Sequence, residues 1–121
     1  MGTRSTIKFY DWDDETPVAS VYQQWDGYIS VVGHDLANFL KGKKIINGIS
    51  RQKMQEGYAN GMSCLAAQFI AEKKTEIGSL YMTTPHDMQE YNYEVRYVDD
   101  EFNIKVNDFS GTPDELLKYK E

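Results

Sequence analysis

The sequence predicts an α+β fold: one antiparallel sheet of about five strands, in the chain order ββααβββα, covered by helices in a single domain over residues 1–121. Three observations predict it. Polar and apolar residues alternate near the N-terminus, a helical spacing follows in the middle, and the alternation returns in the last third. The length suits one ordinary domain, and the 40% hydrophobic and 26% charged residues are typical of globular proteins.

Two strands are predicted first. Residues 6–10 alternate between polar and apolar types, with Ile7 on the apolar face. The acidic segment 11–16 predicts a turn, because charged and small residues there interrupt the alternation. Residues 18–24 then form a second strand that we expect to pair antiparallel with the first.

A short helix is predicted next. Residues 28–32 fit either a third strand or a loop that leads into a helix, and we favour the loop. Asp35 is placed to cap the helix at its N-terminus, and Gly42 supplies the left-handed residue that ends it.

The middle of the chain carries a helical stripe with apolar residues three or four positions apart: Met54, Tyr58, Met62, Leu65 and Phe69. Gly57 and Gly61 interrupt this stripe, and glycine disfavours a helix interior. We therefore expect a short helix from Ser50 and a longer one that is capped by Asn60 and ended by Gly78.

Three antiparallel strands, in a meander, are predicted for the C-terminal third. They are residues 79–84, 91–98 and 102–106, each with alternating polarity or β-forming residues. A last helix follows. Thr112 and Glu115 have the spacing of a capping box, in which each side chain binds the other residue's backbone N–H.

Residues 23–28 are the first candidate binding site, because two amides, two aromatic rings and a carboxylate follow an apolar strand. Trp25 and Tyr28 offer rings for stacking, and Gln24 and Asp26 offer polar groups for hydrogen bonds. The alternative is a structural strand end with a tight turn, since Asp-Gly is a common hairpin signal.

Anion binding is predicted at two further places. Arg4 precedes the first strand and has the planar fork that suits a phosphate or carboxylate, although it also suits an ion pair with the acidic turn. Asn60 and Gly61 open a helix whose free backbone N–H groups favour a phosphate. Arg51 and Arg96 are further candidates.

The sequence favours a binding protein over an enzyme. His34, His86 and Cys64 are the only histidines and the only thiol, and their spacing makes no zinc pattern. Cys64 fits a small buried residue better than a nucleophile paired with histidine. The acidic runs lack the spacing of a calcium loop, and no nucleotide-cofactor motif is present, so no metal or cofactor is expected.

The net charge of −6 disfavours binding to bulk nucleic acid. It fits either plain solubility or a basic protein partner. Because a single cysteine forms no internal disulfide and no apolar run reaches about 20 residues, we expect a soluble cytoplasmic protein without a membrane segment. The nine tyrosines fit a homo-oligomer surface as well as a pocket.

Several short elements resemble those of a group of small phage and bacterial proteins: Gly2-Thr3-Arg4-Ser5, Gln24-x-Asp26-Gly27-Tyr28, Gly33-x-x-Leu36-x-x-Phe39-Leu40, Asn60-Gly61-Met62 and Leu65-Ala66-Ala67-Gln68. A proline often follows the Asp-Gly-Tyr element in that group, whereas Ile29 stands there in this chain. The resemblance implies a shared fold and a role in interfering with a bacterial host, inside the host cytoplasm.

Three hypotheses follow. In the first, the protein sequesters a small anionic, nucleotide-type molecule in a pocket near Arg4, Trp25 and Tyr28. In the second, it is an acidic inhibitor of a basic host defence enzyme, similar in action to anti-CRISPR proteins. In the third, it is an enzyme of unfamiliar type built on His34 or His86.

Overall fold

The computed structural model describes residues 2–11, 15–48 and 57–120. Its strands are β1 (Ser5–Phe9), β2 (Ala19–Gln23), β3 (Lys44–Ile46), β4 (Tyr58–Asn60), β5 (Leu80–Met82), β6 (Tyr91–Val98), β7 (Glu101–Val106) and β8 (Phe109–Gly111). Its helices are α1 (His34–Leu40), α2 (Met62–Lys73) and α3 (Pro113–Lys118), and a π-helical turn covers Ile29–Gly33. The predicted α+β class is confirmed.

The main sheet has six strands in the order β5-β2-β1-β6-β7-β8, and β3 pairs with β4 separately. Neighbours in the main sheet are antiparallel except β1 and β6, which run parallel with Ser5 opposite Tyr91 and Phe9 opposite Val95. The sheet is therefore mixed, and the prediction of a purely antiparallel sheet of about five strands is wrong.

The parallel pair arises from the path between β5 and β6. β5 lies at the edge of the sheet beside β2, whereas β6 lies on the far side of β1. Residues 83–90, which we call the strap, connect the two. The predicted meander that begins at residues 79–84 is therefore wrong, because the three consecutive paired strands are β6, β7 and β8.

The helices cover one face of the sheet and complete the core. Phe69 of α2 lies with its ring centroid 5.7 Å from that of Phe9 and 5.2 Å from that of Phe39. The strap crosses the other face, which we call the open face, where Lys8 donates to the backbone of Asp87. β1 is consequently buried on both faces.

The first helix begins earlier than predicted. The π-helical turn runs directly into α1, so Asp35 lies in the first turn and does not act as the N-cap. Its carboxylate instead accepts a hydrogen bond of 2.9 Å from Lys73, which ties α1 to the end of α2. Gly42 has the predicted left-handed conformation, with φ of 79°.

The predicted cap of the second helix is also wrong. Asn60 ends β4, and its Oδ1 accepts from the backbone N–H of Gly48 at 2.8 Å. Gly61 occupies the N-cap position with φ of 87°, and α2 ends at Lys73, not at Gly78. The helix predicted from Ser50 lies outside the described residues.

The last helix is as predicted. Glu115 N–H donates to Thr112 Oγ1 at 3.2 Å, and Thr112 N–H donates to Glu115 Oε1 at 2.8 Å. Both arms of the capping box are therefore formed. None of the helices in the described part of the chain is long and apolar enough to cross a membrane.

Candidate functional site

A pair of tyrosines marks the open face at the edge of the sheet. Tyr22 of β2 lies opposite Tyr81 of β5, and their ring centroids are 5.7 Å apart with the planes tilted by 57°. Side chains two residues apart on a strand share a face, so Gln24 follows Tyr22 on this side. The Tyr22 hydroxyl donates to Gln24 Oε1 at 2.7 Å and holds the amide in place.

These side chains border a cavity of about 300 Å³, which we call the open-face pocket. Its lining residues are Tyr22, Gln24, Tyr81, Met82, Thr83 and Asp87. Two aromatic rings and a thioether supply apolar surface, while an amide, a hydroxyl and a carboxylate supply a few polar groups. That combination is typical of small-molecule sites, and this volume is at the small end of their range.

The strap forms one wall of the pocket, and hydrogen bonds from β1 and within the strap hold it in place. Lys8 is only 4% exposed, and its Nζ donates to the backbone oxygen of Asp87 at 2.7 Å. The Asp87 carboxylate accepts from Thr83 Oγ1 at 2.6 Å and from Gln89 Nε2 at 2.7 Å. These bonds set the orientation of the carboxylate before any ligand arrives.

Two cations lie on elements next to those that line the pocket. Arg4 is exposed and directly precedes β1, whose Ser5 pairs with Gln23 of β2. Lys74 reaches the sheet edge from the end of α2, where its Nζ lies 5.5 Å from the Tyr81 ring centroid. It donates to one backbone oxygen, that of Leu80, at 2.7 Å. Both cations favour an anionic ligand.

Trp25 lies beside this pocket and is 44% exposed. A side-chain carbon built onto Gly78 would lie 3.4 Å from Tyr81 Oη and 4.0 Å from Trp25 Cη2, so the two side chains approach one point. The other side of the indole contacts the N-terminal segment, where a carbon built onto Gly2 would lie 2.7 Å from Trp25 Cδ1. Trp25 therefore lies near Tyr81, whereas the residues that line the pocket include Gln24 but neither Trp25 nor Arg4.

Tyr28 and Asp26 do not join this group. The Tyr28 ring contacts Tyr91 edge-on at 6.0 Å, and Tyr91 shares its side of β6 with the buried Tyr93, on the helix face. Asp26 is exposed and has φ of 57°, which is a turn conformation. Asp26 and Tyr28 therefore lie outside the open-face pocket.

Asn60 and Gly61 lie elsewhere. They precede α2, whereas the opposite end of that helix is the one that approaches Leu80 and the pocket. A helix of 12 residues is about 18 Å long, so its start is about that far from the pocket edge. The predicted anion site at this helix start is thus separate from Arg4.

Arg96 is also set apart from the pocket. Its guanidinium lies 3.9 Å from the Tyr10 ring centroid and donates to Glu94 at 2.7 Å. Burial raises the pKa of Tyr10, Glu94 raises it further and Arg96 opposes them, so the hydroxyl stays protonated at neutral pH. The adjacent cavity also contains Glu101 and Glu115, which repel an anion. Arg51 lies outside the described residues.

The candidate catalytic residues are not assembled. His34 begins α1 near the Asp35–Lys73 ion pair, whereas Cys64 lies nine residues before Lys73, about 13 Å back along α2. His86 is on the exposed strap. Among the described residues, no group of three or more His, Cys, Asp or Glu side chains is arranged to hold a metal ion.

The acidic turns gather at the end of the sheet away from Arg4. β1 and β6 run parallel, so Asp11 after β1 and Asp99 after β6 lie at the same end. Asp99 and Asp100 form the tight turn there with φ of 53° and 63°. Asp13 and Asp14 lie outside the described residues.

Sequence reasoning missed Tyr22, Tyr81, Lys74 and Asp87. The period of two along β2 was sufficient to place Tyr22 with Gln24 on one face. No comparable signal exists for Tyr81 or Asp87, because they reach the site through the pairing of β5 with β2 and through the path of the strap.

Comparison of the chain with protein-family models, with curated proteins and with solved structures finds no match.

Proposed function

We propose that the protein is a small binding protein that sequesters a nucleotide-type molecule in the open-face pocket. The observation that carries the proposal is the tilted tyrosine pair, Tyr22 and Tyr81, with Lys74 next to the Tyr81 ring and the exposed Arg4 at the start of β1. A nucleotide joins a flat base to an anionic phosphate, and this surface offers aromatic faces next to cations. As the resemblance implies, such capture interferes with the host by removing a nucleotide signal.

Each group has a role in this proposal. Tyr81 is 49% exposed and offers its ring for stacking on a base, with Trp25 beside it. Arg4 binds the phosphate through its planar fork, and Lys74 adds a second positive charge at the pocket edge. Gln24 supplies a hydrogen-bonding group at the base edge. No proton transfer or covalent step is required.

The test is native mass spectrometry of the protein purified from its producing cells, followed by calorimetric titration with nucleotides and cyclic nucleotides. Loss of a stacked ring costs about 1–3 kcal/mol, so Tyr81→Ala should weaken binding by about 5- to 150-fold. Arg4→Ala should also weaken binding, and more strongly for ligands with more phosphate charge.

Tyr28→Ala is the matched control, because it removes an equally exposed tyrosine from the opposite face of the sheet. It should leave nucleotide affinity unchanged. Equal losses in Tyr28→Ala and Tyr81→Ala, or no nucleotide binding by the original protein, would reject the pocket.

A second function, inhibition of a basic host protein, is favoured by the clustering of the acidic turns at one end of the sheet. Replacing both Asp99 and Asp100 by Asn removes two charges and keeps a residue type that tolerates the left-handed turn. The double variant should lose capture of basic proteins from host lysate, while Glu76→Gln at an exposed site elsewhere should not. Undiminished capture by the Asn variant would exclude this function.

A further inference from the structure

We infer that the open-face pocket selects guanine over adenine. This inference rests on the proposed function, because it concerns the base that the pocket accepts. It follows from the hydrogen-bonding capacity that remains at Gln24 and Asp87 once their bonds within the protein are counted.

Gln24 presents a donor to the pocket. Its Oε1 already accepts from the Tyr22 hydroxyl, which orients the side-chain amide. Its Nε2 has no hydrogen-bond partner among the described residues, and an amide NH₂ carries two donors. A base that meets Gln24 therefore needs an acceptor at that position.

Asp87 presents acceptors. One of its carboxylate oxygens accepts from Thr83 and the other from Gln89, each through a single bond. A carboxylate has about four lone-pair positions and no donor, so each oxygen keeps capacity for one further bond. A base that meets Asp87 therefore needs donors.

Guanine has this pattern along one edge, with the O6 acceptor beside the N1–H and N2–H₂ donors. O6 fits the Gln24 amide, and the two donors fit the Asp87 carboxylate. Adenine has the N6–H₂ donor where guanine has O6, so its amino group would face the donor of Gln24. The rings of Tyr22 and Tyr81 can stack on either base, so the discrimination between guanine and adenine comes from Gln24 and Asp87.

The deciding experiment is calorimetric titration of the full chain with GMP and with AMP. The original protein should bind GMP more tightly by about tenfold or more. Gln24→Glu exchanges the donor for an acceptor of the same shape and keeps the oxygen that Tyr22 binds. The new carboxylate repels O6 of guanine and accepts from N6 of adenine, so the preference for GMP should be lost; it should not be reversed, because the N1 acceptor of adenine still faces Asp87. Partial unfolding lowers both affinities by the same factor and cannot change their ratio.

Gln23→Glu is the matched control, because it adds the same charge one residue earlier, on the opposite face of β2. It should keep the preference for GMP. Asp87→Asn should weaken GMP binding by about tenfold and should not weaken AMP binding, because the carboxylate repels the N1 acceptor of adenine. The melting temperature is measured to show that the strap stays folded.

Different outcomes would reject the guanine preference and the nucleotide pocket. Equal affinities for GMP and AMP that both depend on Tyr81 would overturn the guanine preference and leave the nucleotide pocket standing. A Gln24→Glu variant that still prefers GMP would also overturn it. Absence of binding by both nucleotides would overturn the proposed function and this inference together.

Discussion

Tyr93 is the residue that fixes the turn beside the pocket. Its side chain is fully buried, and its hydroxyl donates to the backbone oxygen of Gly27 at 2.7 Å. The N–H of Gly27 donates to Thr3 at 2.8 Å, so both polar groups of this buried residue are paired. The turn that positions Trp25 therefore depends on one phenol in the core.

Tyr93→Phe should lower the free energy of unfolding by about 1–2 kcal/mol, because it leaves the Gly27 carbonyl buried without that partner. Urea denaturation followed by circular dichroism measures the change. Tyr97→Phe is the control, since the Tyr97 hydroxyl has no hydrogen bond among the described residues, and its effect should stay within about 0.5 kcal/mol. Equal effects of the two substitutions would show that the bond to Gly27 contributes nothing.

For individual residues, the sequence indicated which side chains are chemically suited to binding, but not which of them lie on the same face of the sheet. Arg4, Gln24 and Trp25 were predicted as binding residues; Gln24 lines the open-face pocket, Trp25 lies near Tyr81, and Arg4 directly precedes β1. Tyr28 has the same chemistry as Tyr81, yet it follows a turn at Asp26, two residues earlier, and its side chain lies on the helix face. Composition alone does not distinguish these two tyrosines, because the difference arises from the backbone path.

Among the elements, α3 is the one whose start is best defined by sequence. Thr112→Ala removes the Oγ1 that accepts from Glu115 N–H, and it should destabilise the protein by about 1 kcal/mol. Thr16→Ala, at an exposed loop residue, removes the same hydroxyl without a cap and should be close to neutral. Chemical denaturation of both variants measures the difference, and a neutral Thr112→Ala would mean that α3 does not depend on its cap.

The other elements show that local sequence patterns predict where a helix or strand lies, but not which strands pair with each other. The capping box involves residues three apart, and β6 begins and ends where its alternation does. The pairing of β1 with β6 joins Thr6 to Asn92, 86 residues later, and nothing in either strand specifies its partner. The strands β3, β4 and β8 were missed because three residues barely show a period of two, and β5, equally short, was predicted only within the longer segment 79–84.

For the whole molecule, the position of β1 predicts how stability is distributed. β1 is hydrogen-bonded to β2 on one side and β6 on the other, and all five of its residues are buried. β5 is a three-residue edge strand with an exposed Met82, and β3 and β4 pair only with each other. Since opening of β1 exposes five buried residues whereas opening of β5 exposes one, Leu80, the local free energies of opening should differ widely.

Amide hydrogen exchange measured by NMR should therefore be slowest in β1 and in the part of β6 that pairs with it, where exchange requires global unfolding. Exchange in β5, β3 and β4 should be faster, with opening free energies well below the global value. Addition of GMP should slow exchange in β5 and in the strap, because the ligand binds the wall that they form, and should leave β3 and β4 unchanged as the internal control. Protection of β5 equal to that of β1 before any ligand is added would contradict this order of stability, since it would mean that the pocket wall opens only with the whole sheet.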